Sequence, residues 1–89
     1  MQLTRIALRP AVATSTPLSE GSLVDLLWIN VAASDGIKHI HARAIGDTIE
    51  VVMFSVASEQ EISDYIVRRV CERAVRTVPA LKDWLVLAH

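Results

Sequence analysis

The sequence predicts a single α+β domain in the order strand, helix, strand, strand, helix, strand. Three features carry that expectation. Period-two alternation on both sides of a Gly-Asp break, in "IKHIHARAIGDTIEVVMFSVA", marks a hairpin. The stretch that follows, "SEQEISDYIVRRVCERAVRTV", opens on a capping pattern and has helical spacing of its apolar residues. With 89 residues there is room for one core and not two.

The elements follow in order along the chain. Residues 2–9, "QLTRIALR", alternate as a strand, with Thr4, Ile6 and Leu8 on one side and Leu3, Arg5, Ala7 and Arg9 on the other. Pro10, which cannot donate to a ladder, is expected to end it. The loop "AVATSTPLSEGS" leads to a helix, with Thr16 as N-cap before Pro17, or Ser19 as a second candidate cap. Residues 19–34 are read as that helix, with Leu23, Val24, Leu27, Trp28 and Val31 on its buried face and Ser22, Asp25 and Asn30 opposite. A strand would place Asp25 among leucines and would be long at eleven residues. Trp28 is assigned to the core, and Gly36 supplies a left-handed stop.

In the hairpin, Gly46 at the first turn position suits a type II′ turn. That turn sets the pairs. Ala44 faces Ile49, Ala42 faces Val51 and Ile40 faces Met53 on one side; Arg43 faces Glu50, His41 faces Val52 and His39 faces Phe54 on the other. For the second helix, Ser58 is the expected N-cap with Glu61 reaching back. Ile62, Ile66, Val67, Val70, Ala74 and Val78 form the expected buried stripe, and Asp64, Arg68, Glu72 and Arg76 the solvated one. Tyr65 is placed at the half-buried margin and Cys71 as a small apolar packer. After Pro79, "WLVLAH" reads as the last strand.

Composition narrows the function classes. The chain is 52% apolar with four aromatics, so its core is aliphatic and some apolar surface is expected to face a partner, in the first instance a second copy. A net charge of −1 gives no whole-molecule attraction to nucleic acid or anionic lipid. The lone Cys71 cannot form an internal disulfide and fits a reducing compartment. "MQLTRIALRP" lacks the layout of a secretory signal, and the longest apolar runs, about five residues, fall far short of a membrane span. A soluble, cytoplasmic protein is expected.

The element order and the central "IKHIHARAIGDTIEVVMFSVASEQEI", a hairpin running straight into a helix, resemble the ferredoxin-like α/β plait over essentially the full length. The resemblance is to a superfold that hosts unrelated activities. It implies that the second and fourth strands are the sheet edges and that both helices cover one face and leave the other bare. The bare face would then carry His39, His41 and Arg43, with Glu50, Val52 and Phe54 beside them. If Thr4, Ile6 and Leu8 turn inward, Arg5, Ala7 and Arg9 join that face. It would be a local basic surface with an apolar middle.

Four chemistries compete for it. His39 and His41 have the His-x-His spacing of a metal pair, but a third ligand is missing: Glu50 lies opposite Arg43, and His89 belongs at the far edge. No metal is assigned. Nucleic-acid binding of the RNA-recognition type needs aromatics on both central strands, and only Phe54 is offered. Catalysis of the acylphosphatase kind lacks an arginine in the first loop, with Asn30 falling in the helix, and heavy-metal carriage lacks the two loop cysteines. The dimeric α/β-barrel enzymes remain an alternative, with His39 and His41 as acid or base and Trp28 and Asn30 as further candidates. An amino-acid-sensing module resembling the ACT domain is a third reading, although the glycine usual between its first strand and helix is not evident. Association is the fourth chemistry, with Val52, Phe54, Leu26 and Ile29 as contact surface. Were sheet faces to pack together, charging the histidines below about pH 6 beside arginines would oppose the pairing.

The resulting expectation is a non-enzymatic interaction or regulatory module without cofactor, acting as a homodimer. Its open sheet face, through His39, His41, Arg43, Glu50, Phe54 and Arg5, would contact a protein partner or an anionic small molecule.

Overall fold

The computed structural model describes residues 1–11 and 18–87. In chain order they form β1 (Gln2–Pro10), α1 (Glu20–Ile29), a 3-10 turn (Ala33–Asp35), β2 (Ile37–Ile45), β3 (Thr48–Ser55), α2 (Gln60–Thr77), a second 3-10 turn (Pro79–Leu81) and β4 (Trp84–Leu87). The strands make one antiparallel sheet in the order β2-β3-β1-β4, so β2 and β4 are its edges. One apolar cluster joins Ile6, Leu8, Ile40, Val51 and Met53 of the sheet to Leu23 and Leu27 of α1 and Val67, Val70 and Ala74 of α2. Both helices therefore pack on the same side of the sheet.

The hairpin pairs as the alternation predicts, from Ile45 opposite Thr48 to His39 opposite Phe54. Gly46 has φ +63°, and among the described residues none other than glycine has a positive φ, so Asp47 does not. A type I′ turn needs positive φ at both positions, and this turn has the II′ pattern at φ. At the other end of β2 the register slips: Ile37 pairs with Ser55 and His39 with Phe54, leaving Lys38 as a bulge residue. The extra residue turns Ile37 inward along with Ile40; strict alternation would have placed it on the bare face.

Pro10 ends β1 as expected: it is the last residue of the strand, opposite Trp84, and a single further bond, Ala11 N–H to Asp83 O, follows it. Its missing N–H costs little at a strand terminus. α1 is shorter than the predicted 19–34. Ser19 caps it, its Oγ accepting from Ser22 N–H, while Thr16 and Pro17 lie outside the described residues. It stops at Ile29 because Asn30 is engaged elsewhere: its carbonyl accepts from Arg73, at 2.6 Å, and its Oδ1 accepts from Thr77, at 2.9 Å. Arg73 also pairs with Asp35 at 3.5 Å, tying the 3-10 turn to α2.

α2 corrects the capping-box expectation. It begins at Gln60 with Glu59 as N-cap, and no side chain caps it; Ser58 instead offers its carbonyl to Gln2 Nε2. Its buried face is Ser63, Val67, Val70, Cys71 and Ala74, while Ile62 is 44% exposed and Val78 only half-buried. A chain of hydroxyls explains why Ser63 is turned inward rather than Ile62. Ser55 Oγ donates to Ser63 Oγ at 2.9 Å, the Ser63 and Thr4 hydroxyls are 2.7 Å apart, and Thr4 Oγ1 donates to Asp64 Oδ1 at 2.8 Å. Gln60 Nε2 adds donations to Leu3 O and Asp64 Oδ1. Each buried hydroxyl thus has a partner, so the network offsets its own desolvation.

Trp28 and Tyr65 also depart from expectation. Trp28 is 38% exposed and Tyr65 60% exposed: the core contacts of α1 are made by Leu23 and Leu27, with Val24 and Leu26 packed beside them, and Tyr65 lies on the outer side of α2.

Two outcomes follow. Gly36 has φ +67°, and a Cβ there would meet Val56 Cγ2 at 2.6 Å, whereas a Cβ on Gly46 would meet nothing within 4 Å. Urea unfolding should show that Gly36→Ala loses more stability than Gly46→Ala, since each incurs about 1–2 kcal/mol of left-handed strain but only the first displaces a neighbour. Equal losses would contradict this. Burial pushes the Cys71 thiol from 9.0 up to about 12. Its folded value lies above its unfolded one, so the buried thiol's contribution is whole below about pH 9 and fades as pH rises toward 12. Cys71→Ala should therefore flatten the alkaline part of the stability-versus-pH curve, and wild-type Cys71 should resist thiol reagents until the protein unfolds.

Candidate functional site

The bare face of the sheet is built by strand parity. Alternation sends Thr4, Ile6 and Leu8 into the core and Arg5 and Arg9 outward, and β3, and β2 from His39 onward, obey the same rule. The pairings then line up rows across three strands. Leu3, Phe54 and His39 make one row; Arg5, Val52 and His41 the next; Ala7, Glu50 and Arg43 the third. All six expected residues, Arg5, His39, His41, Arg43, Glu50 and Phe54, therefore come together on one surface. Leu85 and Leu87 of β4 extend it past Arg9 and Ala7. His89 lies outside the described residues.

The rows put cations at the flanks and apolar side chains between them. Arg5, His39, His41 and Arg43 are exposed, Val52 and Phe54 half-buried, and Ala7 buried. The His39 and Phe54 rings stand 6.0 Å apart at 50°, a tilted contact rather than an open stacking platform. Arg43 faces Glu50 across the ladder, but the ion pairs among the described residues are Arg68–Glu72 and Arg73–Asp35. The expected Arg43–Glu50 pairing exists as register without salt-bridge contact.

The backbone edge beside this face is partly closed. Glu20 at the start of α1 accepts the outward N–H of Ala44, and the Lys38 bulge interrupts the far end of β2. Both devices discourage another strand from adding to this edge.

Among the described residues no group of three or more His, Cys, Asp or Glu is placed to hold a metal. Both imidazoles emerge on the side away from the helices, so neither reaches a cleft between sheet and helices, where a dimeric-barrel enzyme would need its acid or base. Trp28 lies on the outside of α1, and Asn30 is committed to Arg73, Thr77 and Leu26 O. No helix among the described residues is long and apolar enough to cross a membrane.

Sequence reasoning passed over a second basic region. Arg69, Glu72, Arg73 and Arg76 line a shallow hollow of about 180 Å³ on α2, next to a groove of about 510 Å³ bounded by Val75, Arg76, Val78, Pro79 and Lys82. Arg69 is held by Tyr65, donating to its hydroxyl at 3.0 Å and lying 5.6 Å from its ring centroid. The arginine spacing was visible, but alternation of charge sign made it read as an ordinary solvated stripe.

No protein-family model matches the chain, and no curated protein or solved structure is significantly similar to it.

Proposed function

We propose that this chain is a ferredoxin-like βαββαβ module without catalytic activity that recognises an acidic protein partner through its open sheet face, in the reducing setting of the cytoplasm. The observation that carries the reading is the make-up of that face: Arg5, Arg9, Arg43, His39 and His41 surround Val52 and Phe54, with Glu50 as the opposing charge. Basic flanks around an apolar strip suit a partner that brings carboxylates and aliphatic side chains together, the charges steering encounter and the strip burying area. The strand order β2-β3-β1-β4 and the common helix side support the plait. The tilted contact of the only aromatic on β3 with His39 disfavours base stacking and so nucleic acid.

Self-association belongs to the same reading, but not through this surface. Two copies of a predominantly cationic face would set like charges against each other.

A synthetic peptide alternating glutamate and valine serves as probe. Fluorescence anisotropy should show binding that weakens as salt is raised, because the contacts on the rim are exposed. The double variant Arg5→Glu, Arg43→Glu should bind at least about tenfold more weakly with an unchanged melting curve. A wild-type protein that ignores the peptide, or a double variant that binds it as well, would sink the proposal. Equal binding of oligothymidylate would shift the assignment to nucleic acid.

A further inference from the structure

α1 is apolar nearly all round, yet only one side of it is covered. Of Leu23, Val24, Leu26, Leu27, Trp28 and Ile29, only Leu23 and Leu27 are fully buried; Trp28 is 38% exposed and Ile29 75% exposed. A surface helix normally carries a polar outer face, and one that does not is ordinarily covered. On α2, Tyr65 is 60% exposed and Ile62 44% exposed. The C-terminal end of α1 is tied to α2 through Arg73 and Asn30.

Charge is divided by helix. Residues 18–29 carry Glu20 and Asp25 and no basic side chain, while the last ten residues of α2 carry Arg68, Arg69, Arg73 and Arg76 against Glu72. Glu20 is occupied with Ala44, which leaves Asp25 as the free acid of α1, one turn before Trp28 and Ile29. Arg76 has no carboxylate partner among the described residues. An acidic α1 beside the basic C-terminal half of α2 is complementary to itself across a twofold axis, where α1 of each copy meets α2 of the other.

We infer that the occupant of this surface is a second copy of the chain, joined by α1-to-α2 packing around Trp28, Ile29 and Tyr65, with Asp25 of each copy meeting Arg69 and Arg76 of the other. The inference rests on the self-association part of the proposed function and leaves the sheet face free for its own partner.

Sedimentation equilibrium at micromolar concentration tests it with the intact chain. Wild type should be dimeric. Asp25→Lys sets like charges together at both contacts, and Arg69→Glu with Arg76→Glu does the same with the opposite sign; each chain alone should dimerise at least about tenfold more weakly. Mixed in equal amounts they should pair, since both contacts then join opposite charges, and that recovery would show that neither chain has lost its fold. Trp28→Ser with Ile29→Ser should give a folded monomer by circular dichroism. A monomeric wild type, reversed chains that stay dimeric, or a mixture that stays monomeric would each overturn the inference. So would a dimer lost only in the Arg5→Glu, Arg43→Glu chain, which would move the contact to the sheet. Loss of peptide binding alone would leave this dimer standing, so the two readings fail separately.

Discussion

The ladder between β2 and β3 is the constraint on which the candidate surface hangs. Side chains alternate with a period of two, so a slip of one residue would send His39, His41 and Arg43 under the helices and Ile40 and Ala42 into solvent. Gly46 prevents that slip at one end by accepting a positive φ that sets a two-residue turn. At the other end the Lys38 bulge absorbs the odd residue, so that Ile37 still reaches the core. Apolar burial and turn geometry demand the same register, and the basic face follows from it.

A second constraint decides how α2 sits on that sheet. Aliphatic packing alone is tolerant of a helix rotating by part of a turn, because one methyl group replaces another at small cost. Hydrogen bonds are not tolerant in this way. The sequence of hydroxyls from Ser55 through Ser63 and Thr4 to the Asp64 carboxylate joins β3, α2 and β1 at one point. Any rotation that buried Ile62 instead would strand those groups away from water. The polar chain therefore specifies the helix orientation, while Val67, Val70, Cys71 and Ala74 supply most of the burial.

A net charge of −1 conceals how unevenly the charges are laid out. The sheet face is basic, α1 acidic, and the outer end of α2 basic again. Each region borders exposed or half-buried apolar side chains: Val52 and Phe54 on the sheet, Trp28, Ile29 and Tyr65 on the helices. Charge of one sign beside apolar area favours partners of the other sign, so the two proposed surfaces differ in the charge they would select.

By itself the sequence determined what depends on local period and turn chemistry. Alternation and a Gly-Asp break were enough to set every pair from Ile45–Thr48 to His39–Phe54, and with them the companions of His41 and Arg43. Positions whose fate is settled by a distant partner were decided only in three dimensions. The α2 N-cap moved from Ser58 to Glu59 because Gln2 and Gln60 draw that turn onto the sheet, and α1 stopped at Ile29 because Arg73 claims the Asn30 carbonyl. Trp28 stays 38% exposed while Leu23 and Leu27, with Val24 and Leu26 beside them, make the core contacts of α1. A helical period names an apolar face but not which edge of it is covered, since that edge is set by the volume and hydrogen bonds of whatever packs against it.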